Sequence, residues 1–179
     1  MEPLKDRFKL KADEMSAQIK ELLKENGDKI IGQVHLSQIY QGMRGITGLV
    51  SETSLLDAQE GIRFRGYSIP ELREKLPKAK RGSEPLPEGL FYLMLVGDLP
   101  EDNDVHHVTD ILQRRSHVPN HVFDAIDALP LNTHPMTMYV IGIMALQTES
   151  YFAKAYAEGI NKKDIEAIIP GFISQISLL

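Results

Sequence analysis

Between residues 42 and 71 the chain reads GMRGITGLVSETSLLDAQEGIRFRGYSIPE, with five glycines and three arginines set among short apolar runs. A helix does not tolerate glycine at that density, and a plain solvated loop has no need of the apolar runs. The stretch must turn repeatedly, and the rest of the chain has to supply the longer elements. Glycine also lets another group come close to the backbone. Arg44, Arg63 and Arg65 place permanent positive charge there, on planar forks that match carboxylates and phosphates. Taken alone, the stretch is turn-rich, basic and suited to facing an anion.

Helical periodicity lies on both sides of it. Leu4, Phe8, Ala12, Met15, Ile19, Leu22 and Leu23 recur at steps of three and four, which predicts an amphipathic helix ended by Asn26-Gly27. From Lys29 the pattern changes to short β-type runs, 30–34 and 62–64, separated by glycine turns. Ser68, Pro70 and Glu71 then predict a helix start, with Ser68 as cap, and Pro77 closes that short helix. Residues 78–87 read as a polar surface loop. Beyond Pro87 everything is helical in pattern: 90–96 ended by Gly97, 101–116, 119–128, a helix capped by Thr133, then 149–158, and 162–179 interrupted by Pro170. The helix after Thr133 is apolar on nearly every side and is expected to be buried by several neighbours. The fold class that follows is mainly α, with a small β element near residues 30–65.

Composition narrows the function classes. The 179 residues are 42% hydrophobic and 25% charged, ordinary values for a globular protein, and by length they suit one domain. A net charge of −5 argues against a general nucleic-acid partner. With no cysteine there is neither a disulfide framework nor a thiol nucleophile. The first fifteen residues resemble neither a signal peptide nor a typical transit peptide, and the longest apolar run, 136–146, is too short to span a bilayer. A cytoplasmic location is the expectation, or the mitochondrial matrix for a mature eukaryotic form. The chain stops on the apolar stripe ISQISLL, whereas whole domains usually end in polar, frayed residues. Its covering surface is therefore expected in sequence beyond Leu179.

As a string, the 42–71 stretch resembles the citrate synthase family, its mitochondrial-type branch in particular. The resemblance continues in PKAKRGSEPLPEGLFYLMLVGDLP, LNTHPM and ESYFAKAYAEGI, four blocks in the family's order from about Lys29 to Ile160. It implies a truncated N-terminal portion, residues 1–179 as a single unit, of that enzyme's large helical domain. It further implies condensation of acetyl-CoA with oxaloacetate, no permanently bound cofactor, and a homodimer formed through helices near 134–147 and 162–179. The family's catalytic histidines and aspartate have no counterpart in these residues, so no catalytic residue is assigned and the chain alone is expected to be inactive. A 2-methylcitrate synthase fragment and a non-catalytic helical dimerisation module are the alternatives.

The resemblance also implies a role for Arg44, since the arginine of the family's GMRG string is implicated in holding CoA phosphates. A second such arginine falls where this chain has Lys162, which keeps the charge and loses the bidentate fork. The plainer reading makes both solvated surface charges. Arg63 and Arg65 alternate along a predicted strand, so an ion pair with Glu52, Asp57 or Glu60 is expected of them. No histidine is promoted to a metal ligand. His106 and His107 point to different helix faces, and His117 and His121 are divided by Pro119, with no third ligand evident. His134 is read as fixing a helix start, and the acids Glu101, Asp102 and Asp104 as favouring a helix dipole.

Overall fold

The computed structural model describes residues 2–161 and forms two compact units, residues 7–100 and residues 1–6 with 101 onward. In chain order its elements are α1 (Glu2–Asn26), α2 (Leu36–Tyr40), β1 (Ser54–Asp57), β2 (Gly61–Phe64), β3 (Tyr67–Ser68), α3 (Ile69–Lys75), α4 (Pro87–Val96), α5 (Asp102–Arg114), α6 (Asn120–Asp127), α7 (Pro135–Ala145), a 3₁₀ turn (Leu146–Glu149) and α8 (Tyr151–Ala157). The mainly helical class with one small sheet is as the sequence predicts.

In the 7–100 unit the three strands form an antiparallel sheet in the order β1-β2-β3, with Ser54 opposite Phe64 and Phe64 opposite Tyr67. The β1–β2 connection is closed by Asp57, whose Oδ1 accepts the Gln59 and Glu60 N–H groups at 2.7 and 2.9 Å. The β2–β3 connection uses left-handed backbone at Arg65 (φ 48°) and Gly66 (φ 86°), two successive positive φ values as a tight hairpin turn requires. Ser68 begins α3: its hydroxyl oxygen accepts the Glu71 N–H, while Glu71 accepts the Ser68 N–H at 2.8 Å. Leu72 of α3 and Leu76, the residue that follows the helix, are buried against Leu93 of α4, flanked by Phe64, Tyr67, Leu90 and Leu99. α4 ends at Gly97 (φ 91°), whose N–H reaches the Leu93 carbonyl at 2.8 Å.

In the other unit the buried apolar side chains include Val105, Val108 and Ile111 of α5, Val122 of α6, Leu146 and Ala155. α7 packs on α6 around Gly142, the buried residue of that helix. His121 ties the two together, its Nε2 lying 3.1 Å from the Ala145 carbonyl oxygen and 3.4 Å from Thr148 Oγ1. Asp104 Oδ2 accepts the Glu101 N–H at 3.0 Å, so these acids start α5 as read from the sequence.

Four expectations are corrected. Residues 30–34 form no strand: they lie exposed and find no pairing partner among the described residues, and a β-type composition without a neighbouring strand cannot make a sheet. The cap of α7 is His134 rather than Thr133, because its Nδ1 accepts the Met136 N–H at 3.1 Å and Pro135 occupies the first turn. α7 is not enclosed within one chain; Met136 and Met144 are 60% and 69% exposed. Arg65 falls past the end of β2, in the turn, and does not share a strand face with Arg63. The predicted helix at 162–179 lies outside the described residues.

Candidate functional site: an arginine on a glycine-framed turn

Arg44 follows α2 on a turn of unusual backbone. Gly42, Met43 and Gly45 have φ values of 73, 63 and 71°, so three of four consecutive residues occupy left-handed space. Glycine reaches that space at little cost, whereas for Met43 it costs roughly 1 to 2 kcal/mol and has to be held in place. The main chain supplies part of the hold. The Met43 N–H donates to the Gln38 carbonyl at 2.8 Å, Gly42 N–H to Ile39 at 3.1 Å, and Ile46 N–H to Met43 at 3.2 Å. A side chain supplies the rest. The Gln38 amide oxygen accepts the His35 N–H at 2.9 Å, and its nitrogen donates to the Arg44 carbonyl at 3.3 Å. Around Gly42 there is open space out to 4 Å, and near Gly45 only Gln38 Nε2 comes close.

The three arginines of the 42–71 stretch have separate fates. Arg63 binds Glu60 Oε2 through Nε and Nη2 at 3.2 and 3.1 Å, gives Nη1 to the Gly66 carbonyl at 3.0 Å, and lies 3.7 Å from Glu71. The expected ion pair with Glu60 is therefore present. Arg65 instead donates Nη2 to the Met94 carbonyl at 2.8 Å, near the C-terminus of α4, where a positive charge suits the helix dipole. Arg44 is exposed, and among the described residues its guanidinium has no hydrogen bond or ion pair. It is the arginine of this stretch left open to an external anion.

Lys162 lies outside the described residues, so the two candidate CoA contacts are not brought together here. A cleft of about 480 Å³, lined by Phe8, Met15, Ile19, Leu95 and Val96 with Lys11 and Arg65 among others, does not include Arg44. Among the described residues no group of three or more His, Asp or Glu side chains could hold a metal ion. Gln38 was missed by the sequence reading. Its bond three residues back is half of a capping box whose cap is a histidine rather than Ser, Thr, Asp or Asn, and its bond six residues forward leaves no periodic trace.

These features define a mainly helical domain that presents an unengaged arginine on a glycine-framed turn. The same fold occurs in a solved citrate synthase of Thermoplasma acidophilum, described as a ternary complex with carboxymethyl coenzyme A and oxaloacetate, with a TM-score of 0.51 over 76% of this chain and 32% of that one. At 19% identity that likeness establishes the fold alone. A family model described as citrate synthase, C-terminal domain, matches residues 42–178. The mitochondrial citrate synthase of Saccharomyces cerevisiae is 50% identical over 161 residues, 90% of this chain and 34% of that protein. The mitochondrial 2-methylcitrate synthase of Yarrowia lipolytica is also 50% identical over 161 residues, 90% of this chain and 35% of its own length. The chain belongs to the citrate synthase family, and spans about a third of the length of the curated relatives it matches.

Proposed function

We propose that these 179 residues are the N-terminal portion of the large helical domain of a citrate synthase, and that Arg44 helps hold the phosphates of acetyl-CoA in the complete enzyme. The observation that carries the reading is the unengaged guanidinium on a turn whose glycines leave room for a ligand. Condensation of acetyl-CoA with oxaloacetate is supported by the family and by the names of its members. The chain contributes a binding surface to that reaction rather than the acid–base groups, which the resemblance places beyond Leu179. Lys162 is the second proposed phosphate contact, resting on the resemblance alone. The relatives' names favour the mitochondrial matrix over the cytoplasm. A homodimer through α7 and the 162–179 segment is supported by the apolar side chains that α7 leaves exposed, Met136, Tyr139, Val140 and Met144. A second reading, with propionyl-CoA in place of acetyl-CoA, is favoured by the equal identity of the Yarrowia 2-methylcitrate synthase.

The test is Arg44→Ala in the complete enzyme. A charge-assisted hydrogen bond is worth on the order of 1.5 to 3 kcal/mol, so the KM for acetyl-CoA should rise by at least about tenfold. The KM for oxaloacetate should stay close to wild type, and the melting temperature should barely move, because among the described residues the side chain holds nothing. Added salt should weaken acetyl-CoA binding less in the variant than in the wild type. An unchanged acetyl-CoA KM with a large drop in melting temperature would make Arg44 a structural residue instead.

A further inference from the structure

We propose that Gln38 is a positioning residue for Arg44, its side-chain amide setting the turn from which the arginine reaches its ligand; this rests on the phosphate role of Arg44. The amide has two ends and both are used. His35 offers an N–H and Arg44 a carbonyl oxygen, so the network itself fixes which end is oxygen and which is nitrogen. One side chain thus joins the residue before α2 to the carbonyl of Arg44, while the Gln38 main-chain carbonyl holds the left-handed Met43. Among the described residues little in the neighbourhood could substitute by packing. Between residues 28 and 50 only Gln38 and Ile46 are even half-buried. A turn with almost no core has its shape set by directional bonds, and here those bonds converge on one glutamine.

A binding residue held too loosely loses affinity because its ordering has to occur on binding. Two substitutions in the complete enzyme separate the possibilities. Gln38→Glu keeps an acceptor for the His35 N–H and loses the donor to the Arg44 carbonyl. Gln38→Met has similar length, loses both bonds and adds no charge. Loss of a neutral hydrogen bond corresponds to roughly two- to tenfold, so both variants should raise the KM for acetyl-CoA by about that factor. Turnover number and the KM for oxaloacetate should stay at wild-type values. In an Arg44→Ala background neither substitution should add anything, because a positioning residue has no effect once its client is gone.

The outcomes are distinct. If Arg44→Ala raises the acetyl-CoA KM while both Gln38 variants match the wild type, the phosphate role stands and the positioning role is overturned. If Gln38→Glu raises it and Gln38→Met does not, the new carboxylate is responsible, and the positioning role is again overturned. If Arg44→Ala leaves the KM unchanged, the phosphate reading fails and takes this inference with it. A rise from both variants that vanishes beside Arg44→Ala establishes it.

Discussion

Glu71 shows how much one side chain does in this fold. Its Oε2 accepts the Ser68 N–H at 2.8 Å and the Ser68 hydroxyl at 2.7 Å, and it lies 3.7 Å from Arg63 Nη1. The Ser68 backbone N–H is the main reason its carboxyl titrates below the ordinary 4.5, followed by the Ser68 hydroxyl, with weaker help from Lys75 and Arg63. Asp57 is held below its ordinary 3.8 chiefly by the Glu60 N–H, then by that of Gln59. In both, the charged form is favoured by folding, so the folded pKa lies below the unfolded one. Their contribution is then fully present above the unfolded value and is lost as pH falls through the folded value. Thermal melts followed from about pH 6 to about pH 3 should lose stability below the ordinary carboxylate range. Glu71→Gln, which cannot titrate, should show a shallower loss over that window. Parallel pH curves for the two proteins would remove Glu71 from the acid response.

Elements differ in how far local sequence determines them. α3 was legible because its signals are adjacent: Ser68 caps, Pro70 sits in the first turn, and Glu71 closes the box. α2 was hidden, since five residues are too few to show a helical period, and β1 was hidden because its apolar Leu55 and Leu56 sit side by side rather than in alternation. The false strand at 30–34 had the composition of a strand and no neighbour to pair with. The candidate site divides in the same way. Arg44 is legible because a string of residues resembles a family; Gln38 completes a capping box behind a histidine rather than the usual Ser, Thr, Asp or Asn, and its second bond, six residues forward, follows no period.

The α6–α7 pair offers a direct check on the packing. A Cβ added at Gly142 would lie 3.1 Å from Ile126 Cδ1 and 3.8 Å from Val122 Cγ1. The nearer atom is the free end of a flexible side chain, which can give by a few tenths of an ångström. Alanine is also favoured over glycine in a helix by about 1 kcal/mol. Gly142→Ala should therefore change the urea midpoint little. Gly142→Leu would drive a full side chain into the contact and should cost about 1 to 3 kcal/mol. A leucine variant with an unaltered midpoint would mean that α6 and α7 do not meet at Gly142.

At the scale of the molecule, the apolar surface is more than one chain of this size ordinarily shows. Ile30, Leu49, Val50 and Leu131 are exposed along with the open side of α7, and among the described residues no helix is long and apolar enough to cross a membrane. The relatives are about two and a half times as long as this chain. In the proposed enzyme, the rest of the polypeptide and a second subunit are the covers for these faces.

The scarcity of burial between residues 28 and 50 has a consequence for a protease. Trypsin needs several residues of backbone that can leave their surroundings and extend into its cleft, and a stretch with few buried contacts yields them most easily. Lys29 and Arg44 lie in that stretch, whereas Arg63 lies in a paired strand and Arg65 is fastened to the Met94 carbonyl. Limited digestion should cut after Lys29 and Arg44 well before it cuts after Arg63 or Arg65, as mass spectrometry of the early fragments would show. In the complete enzyme, saturating CoA should slow the cut after Arg44 more than the cut after Lys29. Early cleavage after Arg63 would mean that the sheet opens more readily than the turn in front of it.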